Sequence, residues 1–325
     1  MGMSQIFVSH LYKSFDNLLA VEDVYLQVEA GEIYGLIGPD GAGKTTTIRL
    51  LCGALQPDHP KGNSKTSIQI AGLDVLKQTD PARAKLGYLP QRFSMYEELT
   101  VLENLRFFAE VRGLSEAAWK PRCMQILEFV GLANFIQRQA GQLSGGMRQK
   151  LGLAVALVHS PKVLLLDEPT TGVDPVTRQD FWQLIIHLVA DEGVTVLVST
   201  PYMDEAGRCG RVGFMQSGKI LLEGQPDKLR RRLDGRIMEV HGEPLPLLRD
   251  MARKDSNVED AQMFGDRLHL RIVKGSENSV MRHLKASTSS QVARLSLMRV
   301  ITPQLEDVFI DLLEKHPAQG TQGSE

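Results

Sequence analysis

The stretch that decides the fold is GLIGPDGAGKTTTIRLL, Gly35 to Leu51. It starts at the end of an apolar run, turns through Gly38, Pro39, Asp40, Gly41, Ala42 and Gly43, and continues through Lys44, Thr45 and Thr46 into a helical pattern. The spacing G-x-x-x-x-G-K-T between a strand and a helix suits phosphate binding. Glycines let backbone N–H groups curl around phosphate oxygens, and the helix N-terminus adds positive potential. Lys44 then reaches the terminal phosphate oxygens, and Thr45 offers a hydroxyl to Mg²⁺.

Working outward, KVLLLDEPTTGVDP, residues 162–175, supplies the second half of such a site. Asp167 ends a buried run at the carboxyl edge of a sheet, where a carboxylate can hold the Mg²⁺ shell, and Glu168 can polarise an attacking water. Acidic residues after a strand are also ordinary helix-start signals. Pairing with the P-loop is what gives these two a chemical meaning.

The bulk composition narrows the rest. A chain of 325 residues has room for roughly two domains with cores that need no staples. A formal charge of −2 argues against a protein that coats nucleic acid. Cys52, Cys123 and Cys209 are too scattered for a disulfide framework or a zinc site. No apolar run approaches the ~18–20 residues that span a bilayer, so the chain is not expected to cross a membrane itself. MGMSQI has neither a signal pattern nor a myristoylation pattern, since Ile6 stands where Ser or Thr is needed.

Strand-like segments recur as IFVSHLY, VYLQV, EIYGLIG, SIQIAG, KLGYLP, KVLLLD, VTVLVST, RVGFMQ and KILLEG. Several are continuous apolar runs of the kind buried on both faces of a parallel sheet, with helical patterns between them. This predicts a doubly wound α/β core with an added antiparallel β part. Residues 92–159 read instead as an inserted helical subdomain, introduced by a capping box at Thr100 and Glu103. From residue 226 a second pattern of strand, helix, strand, strand, helix, strand predicts a small α+β domain. It closes with an amphipathic helix over 303–316 and a linker-like tail.

The segment QLSGGMRQKLGLAVALV, residues 142–158, decides the family. Ser144 caps a helix, and Gly145 and Gly146 leave its N-terminus bare enough for a phosphate to approach. With LPQ at Leu89–Gln91 and GVDP at Gly172–Pro175, the order closely resembles an ATP-binding-cassette (ABC) ATPase over about residues 4 to 225. The resemblance implies a P-loop NTPase core binding ATP and Mg²⁺, with Gly38–Thr46 as the phosphate cradle and Lys44, Gln91 and Glu168 as catalytic residues. It implies Mg²⁺ contacts from Thr45, Gln91 and Asp167, and adenine stacking on Phe15. Two cassettes of this family sandwich two ATPs. Ser144, Gly145 and Gly146 are therefore expected to serve a nucleotide on the partner's P-loop, and Asp174 to lie at the dimer seam.

Three departures stand out. Asp40 sits where Asn or Ser is more usual and is expected to face outward. The segment QPDHPKGNSKTSIQIAG, residues 56–72, is longer than the family's usual turn and reads as a surface-loop insertion. In VTVLVSTPYMDEAGRC, residues 194–209, Pro201 stands where the family has a histidine that donates to the γ-phosphate. Proline has neither a ring donor nor a backbone N–H. As a local signal it reads as a helix starter, with Thr200 as the cap and Asp204 and Glu205 in the first turn.

The resemblance implies the ATP-binding subunit, or one half, of an ABC exporter driving ABC-2 type transmembrane permease subunits. The ending PQLEDVFIDLL and the proline together resemble the first cassette of a fused, two-cassette efflux ATPase, although a free-standing homodimeric subunit would share most of these features. Either form is expected at the cytoplasmic face of the inner membrane, held there only through its partner and without nucleic acid. A soluble ABC protein of translation or DNA repair would need basic arms or long coiled-coil insertions, and neither heptads nor a basic excess appears. A catalytically silent ATP sensor is the third reading, and Glu168 speaks against it.

Overall fold

The computed structural model describes residues 4–59, 64–92, 95–288 and 293–315. The first three residues, four residues of the long surface loop and the linker-like tail thus lie outside the described residues. The chain divides into two compact units, Met1–Gln225 and Pro226–Glu325.

In the first unit, β1 (Ser4–Phe15) and β2 (Leu18–Glu29) pair antiparallel and alternate buried and exposed residues, as a sheet with one covered face requires. The strand β3 (Ile33–Ile37) is buried at every position and feeds α1 (Lys44–Leu51). Next come β4 (Ser67–Ile70) and β5 (Leu73–Asp74), which extend the first sheet in the order β2-β1-β4-β5, then α2 (Thr79–Arg83) and β6 (Leu86–Leu89).

Three helices follow: α3 (Val101–Val111), α4 (Glu116–Phe129) and α5 (Gly145–Leu157). The Thr100–Glu103 capping box is formed, with both reciprocal bonds present. Pro121 is carried inside α4 without ending it. The chain returns to the core through β7 (Val163–Asp167), α6 (Pro175–Glu192) and β8 (Thr195–Thr200), then α7 (Met203–Ala206), β9 (Arg211–Gln216) and β10 (Lys219–Gly224).

The central sheet runs β10-β9-β3-β8-β7-β6 and is parallel except for β10 at its edge. β7 and β8, like β3, are buried throughout, which is why their sequences are continuous apolar runs rather than alternating ones. Their carboxyl ends lie side by side, with Ile37 paired to Thr200 and Asp167 to Ser199.

One local expectation is corrected. Pro201 does not begin a helix: α7 starts at Met203 with Tyr202 as its N-cap, and no side chain caps it. The hydroxyl of Thr200 instead accepts from the Tyr202 amide at 3.0 Å, which closes a small turn around the proline and delays the helix.

The second unit contains α8 (Pro226–Arg230), β11 (Ile237–Glu243), α9 (Leu245–Ala252), β12 (Val258–Phe264), β13 (Arg267–Ile272), α10 (Glu277–Thr288), β14 (Arg294–Val300) and α11 (Leu305–Lys315). Its antiparallel sheet has the order β12-β13-β11-β14. Met238, Val240, Leu268 and Leu270 form a core with Leu248 of α9 and Leu284 of α10. The intervening sheet residues are ionic. His269 and Asp307 of α11 meet at 2.8 Å with both side chains buried. Burial alone would raise the Glu239 carboxyl, yet hydrogen bonds from Arg299 and Arg267 hold it down at about 2.

Candidate functional site

The carboxyl ends of β3, β7 and β8 converge on the loop before α1. Gly38 donates its N–H to the Thr200 carbonyl at 3.3 Å, which ties the loop to the end of β8. Gly43 takes φ 106°, a conformation reserved for glycine, and a Cβ there would overlap the Ala20 carbonyl. A Cβ on Gly38 would overlap the Met215 carbonyl. Gly38 and Gly43 are therefore required by close contacts, and Gly41, which faces open space, by its left-handed φ of 76°.

The loop borders a groove of about 350 Å³ that Phe15, Asp40, Gln91 and Glu168 also line. Ala42, Gly43, Lys44, Thr45 and Thr46 lie along it, while Gly38 and Pro39 act through the lysine. Asp40 is exposed, as expected from sequence. Phe15 keeps 43% of its surface open, with the Lys13 ammonium 5.6 Å from its ring centroid.

Lys44 is only 3% exposed, and its Nζ donates to the carbonyls of Gly38 at 2.8 Å and Pro39 at 2.9 Å. The same ammonium lies 3.1 Å from Glu168 Oε1. Gln91 Nε2 donates to the other oxygen, Oε2, at 2.9 Å. Lysine, glutamate and glutamine thus form one connected group, assembled from the starts of α1 and the ends of β6 and β7.

Beside it, Thr45 Oγ1 donates to Asp167 Oδ1 at 3.0 Å, and Ser199 Oγ donates to the same oxygen at 2.8 Å. Asp167 is fully buried and its Oδ2 has no hydrogen-bond partner. Burial raises its pKa above the ordinary carboxylate value, opposed by the Ser199 and Thr45 hydrogen bonds and reinforced by the charge of Glu168. A hydroxyl, a carboxylate with a bare oxygen and the side-chain amide of Gln91 make a hard-oxygen donor set, which fits Mg²⁺.

The remaining predicted residues lie elsewhere. Ser144 caps α5 by accepting from Met147 N, and Asp174 caps α6 by accepting from Thr177 N at 3.0 Å. Hydrogen bonding from the Thr177 side chain, and then from its amide, lowers the Asp174 pKa. None of Ser144, Gly145, Gly146 and Asp174 lines the groove of its own P-loop. Gly145 faces open space, whereas a Cβ on Gly146 would overlap the Thr177 side chain of α6. Pro201, at the end of β8, brings no side-chain donor to the groove.

Ser199 escaped the motif reading. It is a fully buried polar residue, as are Thr195 and Thr200 at the two ends of the same strand, and a serine directly after the apolar run Val196–Val198 was the available signal.

A family model described as ABC transporter matches residues 21–171. The probable multidrug ABC transporter ATP-binding protein YbhF of Escherichia coli (strain K12) is 42% identical over 296 residues, covering 90% of this chain and 49% of that protein. The chain therefore spans about half the length of this relative. The Nod factor export ATP-binding protein I of Cupriavidus pinatubonensis is 38% identical, with 73% of this chain and 71% of the relative covered. The linearmycin resistance ATP-binding protein LnrL of Bacillus subtilis is 30% identical over 93% of this chain and 96% of its own.

Among solved structures, an ATP-binding subunit of an ABC transporter superposes with a TM-score of 0.61 at 30% identity, covering 70% of this chain and 92% of its own. A dimeric bacterial ABC transporter cassette matches with a TM-score of 0.61 at 25% identity, over 68% of this chain and 98% of its own. The P-loop, the strand-ending Asp167–Glu168 pair and these likenesses agree: the chain belongs to the family of ABC transporter ATP-binding proteins.

Proposed function

We propose that this chain binds MgATP and works as one cassette of an ABC exporter, paired with a second cassette and driving ABC-2 type permease subunits. The observation that carries the reading is the convergence of Lys44, Gln91 and Glu168 with Thr45 and Asp167 on one groove. The name of one relative, Nod factor export ATP-binding protein I, supports the direction of transport.

The geometry supports the following residue roles. The Lys44 ammonium already sits in a cage of two carbonyls and one carboxylate, so incoming phosphate oxygens replace Glu168 as its counter-charge. Released from the lysine, Glu168 can accept the proton of an attacking water, while Gln91, hydrogen-bonded to it, registers the change. Thr45, Asp167 and Gln91 would hold Mg²⁺. Bound there, the ion would neutralise charge on the phosphate oxygens. Phe15, open on the groove wall, offers its ring to the adenine.

Ser144, Gly145 and Gly146, being remote from the chain's own groove, are available to a nucleotide held by the partner cassette, with Asp174 at the seam. An exposed apolar patch of Tyr96, Phe107 and Val111 on the helical region is the proposed seat of the permease, next to the segment that carries Gln91.

Pro201 sets the rate. A missing preorganised donor to developing charge typically costs ~10²–10³ in rate. The purified chain should therefore bind MgATP but turn it over slowly. P201H should raise turnover by about 10²-fold, and E168Q should abolish it in either background. Steady-state phosphate release checks both. Equal turnover with proline and histidine would overturn the role given to this position, and activity surviving E168Q would overturn that of Glu168.

A further inference from the structure

We infer that Ser199 is a positioning residue that orients both site carboxylates, Asp167 and Glu168, through one buried hydroxyl. The inference rests on the nucleotide site proposed above. Successive residues of a strand point to opposite faces, so Asp167 and Glu168 could not both serve one groove if β7 simply continued. The chain solves this at Glu168, which adopts φ 49°, a left-handed conformation unfavourable for a residue with a side chain.

The Thr171 N–H closes this turn on the Glu168 carbonyl at 3.2 Å, and Ser199 anchors the Glu168 amide. The Glu168 N–H donates to the Ser199 carbonyl at 3.1 Å and to its Oγ at 3.0 Å. The same Oγ donates its own proton to Asp167 Oδ1 at 2.8 Å. One hydroxyl thus accepts from one acidic residue and donates to the next, which uses both capacities of a serine side chain. The second effect is on the choice of carboxylate oxygen. Ser199 and Thr45 both occupy Oδ1, so the bare, buried oxygen of Asp167 is always Oδ2. Alanine would remove the donor to Asp167 and one acceptor from Glu168 while leaving the strand pairing of β7 with β8 in place.

The test uses the full chain with S199A, S199T and S199C. Binding of a fluorescent ATP analogue is measured in excess EDTA and again in Mg²⁺, and hydrolysis is followed over a single turnover. S199A should bind the analogue in EDTA within about 2-fold of wild type and lose ~10-fold of the Mg²⁺-dependent gain in affinity, the order expected for a hydrogen bond to a charged group. Its single-turnover rate should fall ~10- to 100-fold. S199T keeps the hydroxyl and should restore both quantities to within about 3-fold.

S199C fills the serine's space with a weak donor and should behave like S199A. It supplies the same comparison should the alanine chain misfold. Wild-type Mg²⁺ dependence and rate in both S199A and S199C would overturn the inference, because the hydroxyl would then be passive packing. Equal losses in EDTA and Mg²⁺, unrescued by threonine, would overturn it in favour of a purely structural role. A wild-type chain that does not bind the analogue at all would instead overturn the nucleotide reading beneath it.

Discussion

Two neighbouring glycines show how differently the same residue can be used. Gly145 and Gly146 read alike in the sequence, as a helix start kept bare for phosphate. In the fold only Gly145 faces open space, while a Cβ at 146 would run into Thr177. G146A must push α5 away from α6, and overpacking of this kind costs about 1–3 kcal/mol. For a domain of this size that corresponds to a melting temperature lower by ~2–10 °C. G145A should leave the melting temperature unchanged or slightly raised, because alanine favours a helix, yet weaken ATP-dependent pairing of cassettes. Thermal melts and size-exclusion chromatography with and without ATP check the two variants. Gly146 was not legible as a packing residue because its constraint comes from α6, about thirty positions away in sequence. Gly43 could be read correctly, because its constraint is the loop's own left-handed turn.

At the level of elements, what could be read depended on where each element gets its stability. β3, β7 and β8 announce themselves as continuous apolar runs, and α3 by its capping box. β5 and α2 have two and five residues, too few to carry a period, and tertiary contact alone defines them. The start of α7 was misjudged because the Thr200 hydroxyl had two uses open to it, a helix cap or a turn, and only the fold chooses. The link between α5 and β7 carries a pH-sensitive group that no motif marks. His159 Nε2 lies 3.0 Å from the Leu86 carbonyl at the start of β6, with Nδ1 unpartnered.

Burial lowers the His159 pKa from 6.5 to about 4, helped by the positive charges of Arg112 and Arg122 and opposed by the Leu86 carbonyl. The folded chain therefore favours the neutral ring. Between these two values the unfolded chain binds more protons, so stability rises with pH across that window. His159 should contribute fully above about pH 6.5 and lose its contribution as pH falls towards 4. Urea unfolding at a series of pH values should show wild type losing more stability over this range than H159Q, which keeps a donor but does not titrate. Parallel curves for the two chains would exclude the histidine as the source.

For the whole molecule, the division at Gln225 has an energetic basis. The first unit closes a core of its own that includes Ile6, Leu26, Leu36, Ile48 and Leu165, and the second closes another around Val240, Leu268 and Leu270. Each is large enough to bury the greater part of its chain surface. The order of elements in the second unit was legible from its alternating patterns. The ionic character of one sheet face was not, because Asp307 and Asp311 on α11 look like ordinary solvent-facing residues until His269 and Arg271 are seen beneath them. All residues lining the nucleotide groove belong to the first unit. A chain ending at Gln225 should therefore fold cooperatively and bind MgATP within about 3-fold of the full chain, since no binding contact is removed and less than ~0.7 kcal/mol would be at stake. Calorimetric melting and nucleotide titration of the truncated chain check this. A broad, non-cooperative melt or a loss of nucleotide binding beyond ten-fold would mean that the first core depends on the second unit for its closure.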